Sequence, residues 1–281
     1  PLLLSGVIST AQGWTDTALI GYFMSNADVG FYNAAFPTAM LIMIPSQALG
    51  TLALSSISEL GAKKGESSEK ALKTLTNWTF ALVFPAFLLM VLFSEQVIHI
   101  LFGSQYSIAT TALGILAFSN LISATAGNLG SYLASKNHTK IIFYNTLITV
   151  VFNIALNTYL IPKYGITGAA IATAASGILA ELFLFIQTYR YEKVISLHPK
   201  MSRTVISGLI SITTIYILVD YLFTTTPYWA LIPAGGLFFI MHLLIFLKIG
   251  GLTNYDKEII LTLARKIDSE EQAKKVLARL T

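Results

Sequence analysis

Stretches of about twenty apolar residues recur eight times along this chain, and lysine and arginine stay out of every one. A helix of that length crosses the hydrocarbon core of a bilayer, which is about 30 Å thick at about 1.5 Å of rise per residue. The runs cover roughly 2–24, 31–56, 74–94, 107–129, 141–161, 166–188, 204–223 and 228–247. The gaps between them alternate in character. Gaps 57–73, 130–140 and 189–203 and the segment from 248 are basic, whereas 25–30, 95–106, 162–165 and 224–227 are short and nearly uncharged. Seventeen of the 18 basic residues fall in the first set, and Lys163 is the exception. Lysine and arginine gather in cytoplasmic loops of membrane proteins, so this alternation predicts eight spans with both chain ends in the cytoplasm.

Composition narrows the class further. Only 11% of the residues are charged and 54% are hydrophobic, against about 25% charged in a soluble domain. That balance excludes a disordered chain and an ordinary cytosolic enzyme. The net charge of +4 does not indicate nucleic acid as a partner, because the bases sit in short gaps rather than in one patch. With no cysteine, disulfides, zinc thiolate sites and Cys nucleophiles are ruled out. The first residues already belong to an apolar run without a basic segment before it, so they read as part of a span in a longer protein and not as a signal peptide. Residues 1–250 form the expected transmembrane region and 251–281 a tail. In the tail, Thr253 with Asp256 and Ser269 with Gln272 have capping-box spacing before apolar stripes, which predicts short amphipathic helices at the cytoplasmic surface.

Polar groups inside the runs carry the functional signal. Three acids fall there, Asp16, Glu181 and Asp220. A carboxylate at the bilayer centre costs roughly 2.5–3.5 kcal/mol on insertion scales, so it faces protein or water. Ser5, Ser9, Gln12 and Asp16 step by four, three and four residues, which places them on one helical face. That stripe faces either a water-filled cavity or a neighbouring helix whose hydroxyls satisfy it. Asn153 and Asn157 stand one turn apart on the fifth run, with Thr146 and Thr149 extending their face. Taken alone, such an Asn pair reads as interhelical glue. The sixth run begins GITGAAIATAASG, with Gly165, Ala169, Thr173 and Gly177 spaced by fours, a pattern that lets helix backbones approach closely. Glu181 lies near the end of that run and is expected to reach outward toward Arg190 or Lys193.

Several segments resemble a known family. GYFMSNADVGFYNAA (21–35) looks like the junction after the first C-terminal-lobe helix of polysaccharide and lipid-linked oligosaccharide flippases, relatives of the MATE exporters and lipid II flippases. LFGSQY (101–106), ASKNHTK (134–140) and FNIALNTYLIPKYGITGAAIAT (152–173) resemble later landmarks in the same order. The resemblance covers residues 1 to about 250. It implies an all-α integral membrane protein whose eight helices make the C-terminal lobe of a two-lobe flippase, with an N-terminal lobe of the same protein as partner.

The resemblance also implies a cation site. Sodium-coupled members of the superfamily hold a cation with a carboxylate from the first helix of this lobe, two Asn/Asp side chains one turn apart on the fifth, and a Thr and a backbone carbonyl on the sixth. Asp16, Asn153, Asn157, Thr173 and the Ala169 carbonyl match those positions. Both fifth-helix positions are Asn here, which leaves one negative charge, so the coupling ion is Na⁺ or H⁺ and no other cofactor is implied. Ser5, Ser9 and Gln12 would line the cavity, and Lys73, Lys136 and Lys140 would meet an anionic headgroup at the cytoplasmic mouth.

The implied activity is movement of a polyprenyl-linked oligosaccharide across a prokaryotic plasma membrane, between membrane lipid leaflets, by ion-coupled alternating access. A MATE-type exporter of drug-like cations is the alternative, because the firm buried charge is acidic. A membrane enzyme acting on lipid-linked sugars fits less well. The outer gaps offer only Asp28, Glu95, His99 and Lys163, which have no catalytic spacing.

Overall fold

The structure, a computed structural model, describes residues 2–49, 68–126, 128–223, 228–250 and 261. The described backbone is helical, with no strand among these residues. The tail from 251, where amphipathic helices are expected, lies outside the described residues apart from Leu261.

Helix α1 runs Leu2–Phe23 and α2 Asn26–Met40. The turn between them is set by the short gap SNAD. The Ser25 hydroxyl accepts from the Asp28 backbone N–H at 3.3 Å, and Asp28 Oδ2 accepts from the Ser25 backbone N–H at 3.1 Å. This reciprocal capping box satisfies two otherwise orphaned donors and starts α2 sharply. The second helix continues through a 3-10 turn, Leu41–Met43, to Leu49. Helix α3 (Ser68–Leu92) contains Pro85, and α4 (Ser94–Phe102) ends at Gly103, whose φ of 92° suits glycine. A 3-10 turn at Ser104–Ala109 leads into α5 (Thr110–Ala126), followed by α6 (Asn128–Ser135).

Helix α7 covers Thr139–Glu192, 54 residues, and is two helices joined at a bend. Gly165 has φ 58° and ψ −140° there, a backbone region open almost only to glycine. Three side-chain pairs show how the legs run. Asn153 bonds Thr173, Asn145 bonds Gln187, and His138 Nε2 lies 2.9 Å from Glu192 Oε1. As one partner recedes from Gly165, so does the other. The two legs therefore form an antiparallel hairpin. A Cβ on Gly168 would lie 2.3 Å from the Leu160 carbonyl oxygen, so glycine is what permits the close turn. Farther along the second leg, a Cβ on Gly177 would meet Ser119 Oγ at 2.9 Å, which marks equally close approach to α5.

The chain closes with α8 (Met201–Leu222), a 3-10 turn at Tyr228–Ala230 and α9 (Leu231–Lys248). Among the described residues, six helices are long and apolar enough to cross a membrane, so the chain is a multi-pass membrane protein. The sequence reading expects eight, and the difference has two sources. The fifth and sixth runs are the two legs of α7, joined at Gly165 and counted together as one 54-residue element. Helix α1 has the length of a span, 22 residues, but its polar stripe lowers its average apolarity.

Packing divides the chain into two units. The first comprises 1–44 and 86–195, the second 45–85 and 196–281. The core of the first joins Ile20, Ala35, Ala39, Leu113, Leu116 and Ala169, where small side chains let α1, α2, α5 and α7 approach. In the second unit α8 packs on α9, with buried Ser207 Oγ 3.2 Å from His242 Nδ1. Arg203 and Lys200 both donate to the Gly250 carbonyl. Large apolar side chains lie on the outside, such as Trp14 on α1 and Ile232 on α9, as suits a surface that meets lipid.

Candidate functional site

The site lies in the first unit, where the antiparallel hairpin of α7 packs against α1. Asp16 is 3% exposed, so its charge must be met by neighbouring groups. Asn157 Nδ2 donates to Asp16 Oδ1 at 2.7 Å, and the Tyr32 hydroxyl donates to Oδ2 at 2.5 Å. The Thr173 hydroxyl also donates to Oδ2. Asn157 Nδ2 reaches Asn153 Oδ1 at 3.1 Å, and Asn153 Nδ2 donates to Thr173 Oγ1 at 3.3 Å. Four helical segments therefore converge on one carboxylate. Hydrogen bonds to an ionised group are stronger than neutral ones, at about 1.5–3 kcal/mol each.

Four of the five residues named for a cation site meet in this network: Asp16, Asn153, Asn157 and Thr173. Ala169 stands one turn before Thr173 on the same leg, fully buried in the apolar core. Tyr32 also belongs to the network, a member the sequence pattern does not single out. The capping box places it, because the turn at Ser25 brings the first turns of α2 back against the middle of α1. In sequence its only mark is an aromatic within an apolar run, which reads as ordinary core.

The other candidates are distributed. Ser5 is buried, Gln12 borders a cavity, and Ser9 lies on α1 with its side chain outside the description. Lys73 belongs to the second unit and pairs with Glu69 at 2.7 Å. In the first unit, the Lys136 ammonium sits 5.7 Å from the Tyr132 ring centre, and Lys140 is exposed. Asp220 is exposed on α8.

Glu181 departs from expectation. It borders a cavity of about 250 Å³ in the first unit, together with Gln12, Ser123, Thr146, Thr149 and Ser176. Its Oε2 is buried and has no hydrogen-bond partner. The cavity lies among the hairpin legs, α1 and α5, so the side chain turns inward where polar groups stand, not outward toward Arg190.

The chemistry of the Asp16 network can be tested against a cation. Among the described residues no cluster of three or more His, Cys, Asp or Glu side chains occurs, so a transition-metal site has no support there. Hard cations take oxygen ligands. Oxygen is plentiful: two atoms of Asp16, the amide oxygens of Asn153 and Asn157, and Thr173 Oγ1. Asn157 Oδ1 is buried and without a partner. Turning that amide over would aim the orphaned oxygen at Asp16 and withdraw the N–H donor that now occupies Oδ1. The donor set fits a monovalent hard cation in that second arrangement.

Residues 1–111 match the model of a family described as polysaccharide biosynthesis protein. A probable low-salt glycan biosynthesis flippase, Agl15 of Haloferax volcanii, is 34% identical over 175 residues, covering 60% of this chain and 37% of that protein. A probable flippase of the same organism, AglR, is 27% identical over 178 residues, covering 61% of this chain and 37% of that protein. The chain thus spans less than half the length of these relatives. Among solved structures, the lipid II flippase MurJ in an inward closed conformation superposes with a TM-score of 0.68 at 17% identity. The match covers 86% of this chain and 51% of that one, and it shows a shared helical fold.

Proposed function

We propose, from the kinship of this chain with polysaccharide and lipid-linked oligosaccharide flippases, that it forms the C-terminal lobe of such a transporter. The full protein moves a polyprenyl-linked oligosaccharide from the cytoplasmic to the outer leaflet of a prokaryotic plasma membrane. Movement is by alternating access, biased by Na⁺ or H⁺ at Asp16. One observation carries the reading: a buried carboxylate, joined to Tyr32, Asn157 and Thr173, inside a bundle whose relatives are named as flippases. The relatives' names describe transport and not catalysis, which agrees with a non-enzymatic role.

The six apolar helices become eight spans when the α7 hairpin counts twice and α1 is included. That assignment places both ends of the chain in the cytoplasm, on the side of the basic gaps. An ion shifts the equilibrium between the two facing states only by its differential affinity for them. The Asp16 network supplies such a difference if the Asn157 amide turns in one state and not in the other.

A lipid-linked sugar carries an anionic headgroup, and no Lys or Arg lies within the apolar runs of this chain. The groups that meet it lie in the N-terminal lobe or among Lys73, Lys136 and Lys140. Reconstitution of the full-length protein with a fluorescent polyprenyl-linked oligosaccharide and, separately, a cationic dye separates this reading from drug export. Protein-dependent movement of the lipid-linked sugar is expected. Dye transport without sugar movement would reject the assignment.

A further inference from the structure

A second acidic group in the first unit takes no part in the Asp16 network. Glu181 lies on the second leg of α7, two turns beyond Thr173, and borders the cavity of about 250 Å³. Ser123 hydrogen-bonds the Glu181 carboxyl, but its buried Oε2 has no partner, which is costly unless a donor or a cation meets it. A cavity of this size holds water.

The cavity sits in register with the Asp16 network. Gln12 comes four residues before Asp16 on α1, Thr149 four before Asn153 on the first leg, and Ser176 three after Thr173 on the second. On three separate segments a cavity-lining residue is one turn, about 5 Å of rise, from a network residue. On both legs that turn leads away from Gly165 and toward the end that carries Lys136, Lys140 and Arg190.

The lining is rich in free acceptors. Thr146 donates its hydrogen to the Ile142 carbonyl, Thr149 to that of Asn145, and Ser176 to that of Ala172. Their oxygens retain lone pairs, while their hydrogens are spent on their own helices. The Asn145 amide is engaged at both atoms by Gln187, at 2.6 and 2.9 Å. One carboxylate and several hydroxyl oxygens suit a hard, partly hydrated cation.

We infer that this cavity is a waystation for Na⁺ between the basic end of the bundle and Asp16, with Glu181 as its charged group. The inference rests on the reading of Asp16 as a cation site. A carboxylate in a low-dielectric cleft concentrates counter-ions and raises their entry rate by roughly 10- to 1000-fold. Glu181 thus governs how fast the ion arrives and leaves on one side, and Asp16 governs whether it is held.

The test uses the full-length protein in proteoliposomes of defined orientation. Radioactive sodium gives both its occupancy at equilibrium and its exchange rate from each side. Glu181→Gln is expected to bind as much Na⁺ as the wild type but to exchange it at least about tenfold more slowly from the side of the basic loops. Exchange from the other side stays unchanged, and Glu181→Asp restores the rate. Exchange by Glu181→Gln at the wild-type rate overturns the waystation while leaving Asp16 untouched. Loss of Na⁺ occupancy in Glu181→Gln also overturns it, since Glu181 would then be part of the holding site. Asp16→Asn is expected to abolish occupancy. Retention there refutes the Asp16 reading itself, and the waystation with it, as does a wild type that binds no Na⁺. Should Glu181→Gln not fold, Thr149→Val removes one lining oxygen at nearly constant shape. It is expected to slow exchange on the same side, and an unchanged rate counts against the proposal.

Discussion

Asn157 and Asp16 are 141 residues apart in sequence, and the amide nitrogen of one donates to the carboxylate of the other at 2.7 Å. That bond ties the first helix of the chain to the α7 hairpin. The opposite face of the same amide is left with a buried oxygen that bonds nothing. Turning this amide exchanges a donor for an acceptor beside Asp16, an arrangement that a cation held between the oxygens stabilises.

Asn157→Asp puts a second carboxylate beside Asp16. Two unit charges about 4 Å apart repel by about 4 kcal/mol at an effective dielectric of 20, and a bound cation relieves that repulsion. Desolvation consumes part of the gain, so Na⁺ affinity is expected to rise by at least about tenfold. Sodium titration of full-length Asn157→Asp by calorimetry measures it. Equal or weaker affinity would place Asn157 outside the ion's reach.

Tyr32→Phe removes only the hydroxyl that donates to Asp16 Oδ2 at 2.5 Å. Tyr32 is 1% exposed, and a bond to an ionised acceptor is worth about 1.5–3 kcal/mol. Thermal unfolding of the full-length protein in Na⁺-free detergent should show that loss. In the Asp16→Asn background the same change should cost less, because the two residues share one network and their effects are not additive. Additive losses would mean that the hydroxyl acts independently of Asp16.

Gly168→Ala drives a Cβ to within 2.3 Å of the Leu160 carbonyl oxygen, so the hairpin turn must open. Overpacking of this kind costs about 1–3 kcal/mol. Gly114→Ala on α5 is the control, since a Cβ there meets nothing within 4 Å, and it should be neutral or gain up to about 1 kcal/mol. Melting temperatures of the two variants distinguish a required close approach from a general intolerance of substitution.

Much of the fold was legible because a bilayer imposes a strict length on apolar runs and a strict place on lysine and arginine. The division between the fifth and sixth runs follows from Gly165 and Pro162, which read as a gap, and the two helices of α7 meet at Gly165. The stripe of α1 and the Asn pair of α7 follow from spacing alone. Their meeting does not, since periodicity fixes a face and not its neighbour. The pairing came from the family resemblance. Tyr32 is not legible in sequence, because a tyrosine in an apolar run looks like core and the Ser25 capping box is what brings it to Asp16. In sequence Glu181 reads as reaching outward because two bases follow it. The polar lining from α1, α5 and the first leg turned it inward, and that lining is dispersed over more than 150 residues of sequence.

The most direct test is gradient-driven flipping of a polyprenyl-linked oligosaccharide by full-length protein in proteoliposomes, wild type against Asp16→Asn. An imposed Na⁺ or H⁺ gradient should accelerate transport by the wild type and leave Asp16→Asn at its gradient-free rate. Transport by Asp16→Asn at the wild-type rate, with the same response to both gradients, would contradict the assignment of Asp16 as the coupling site.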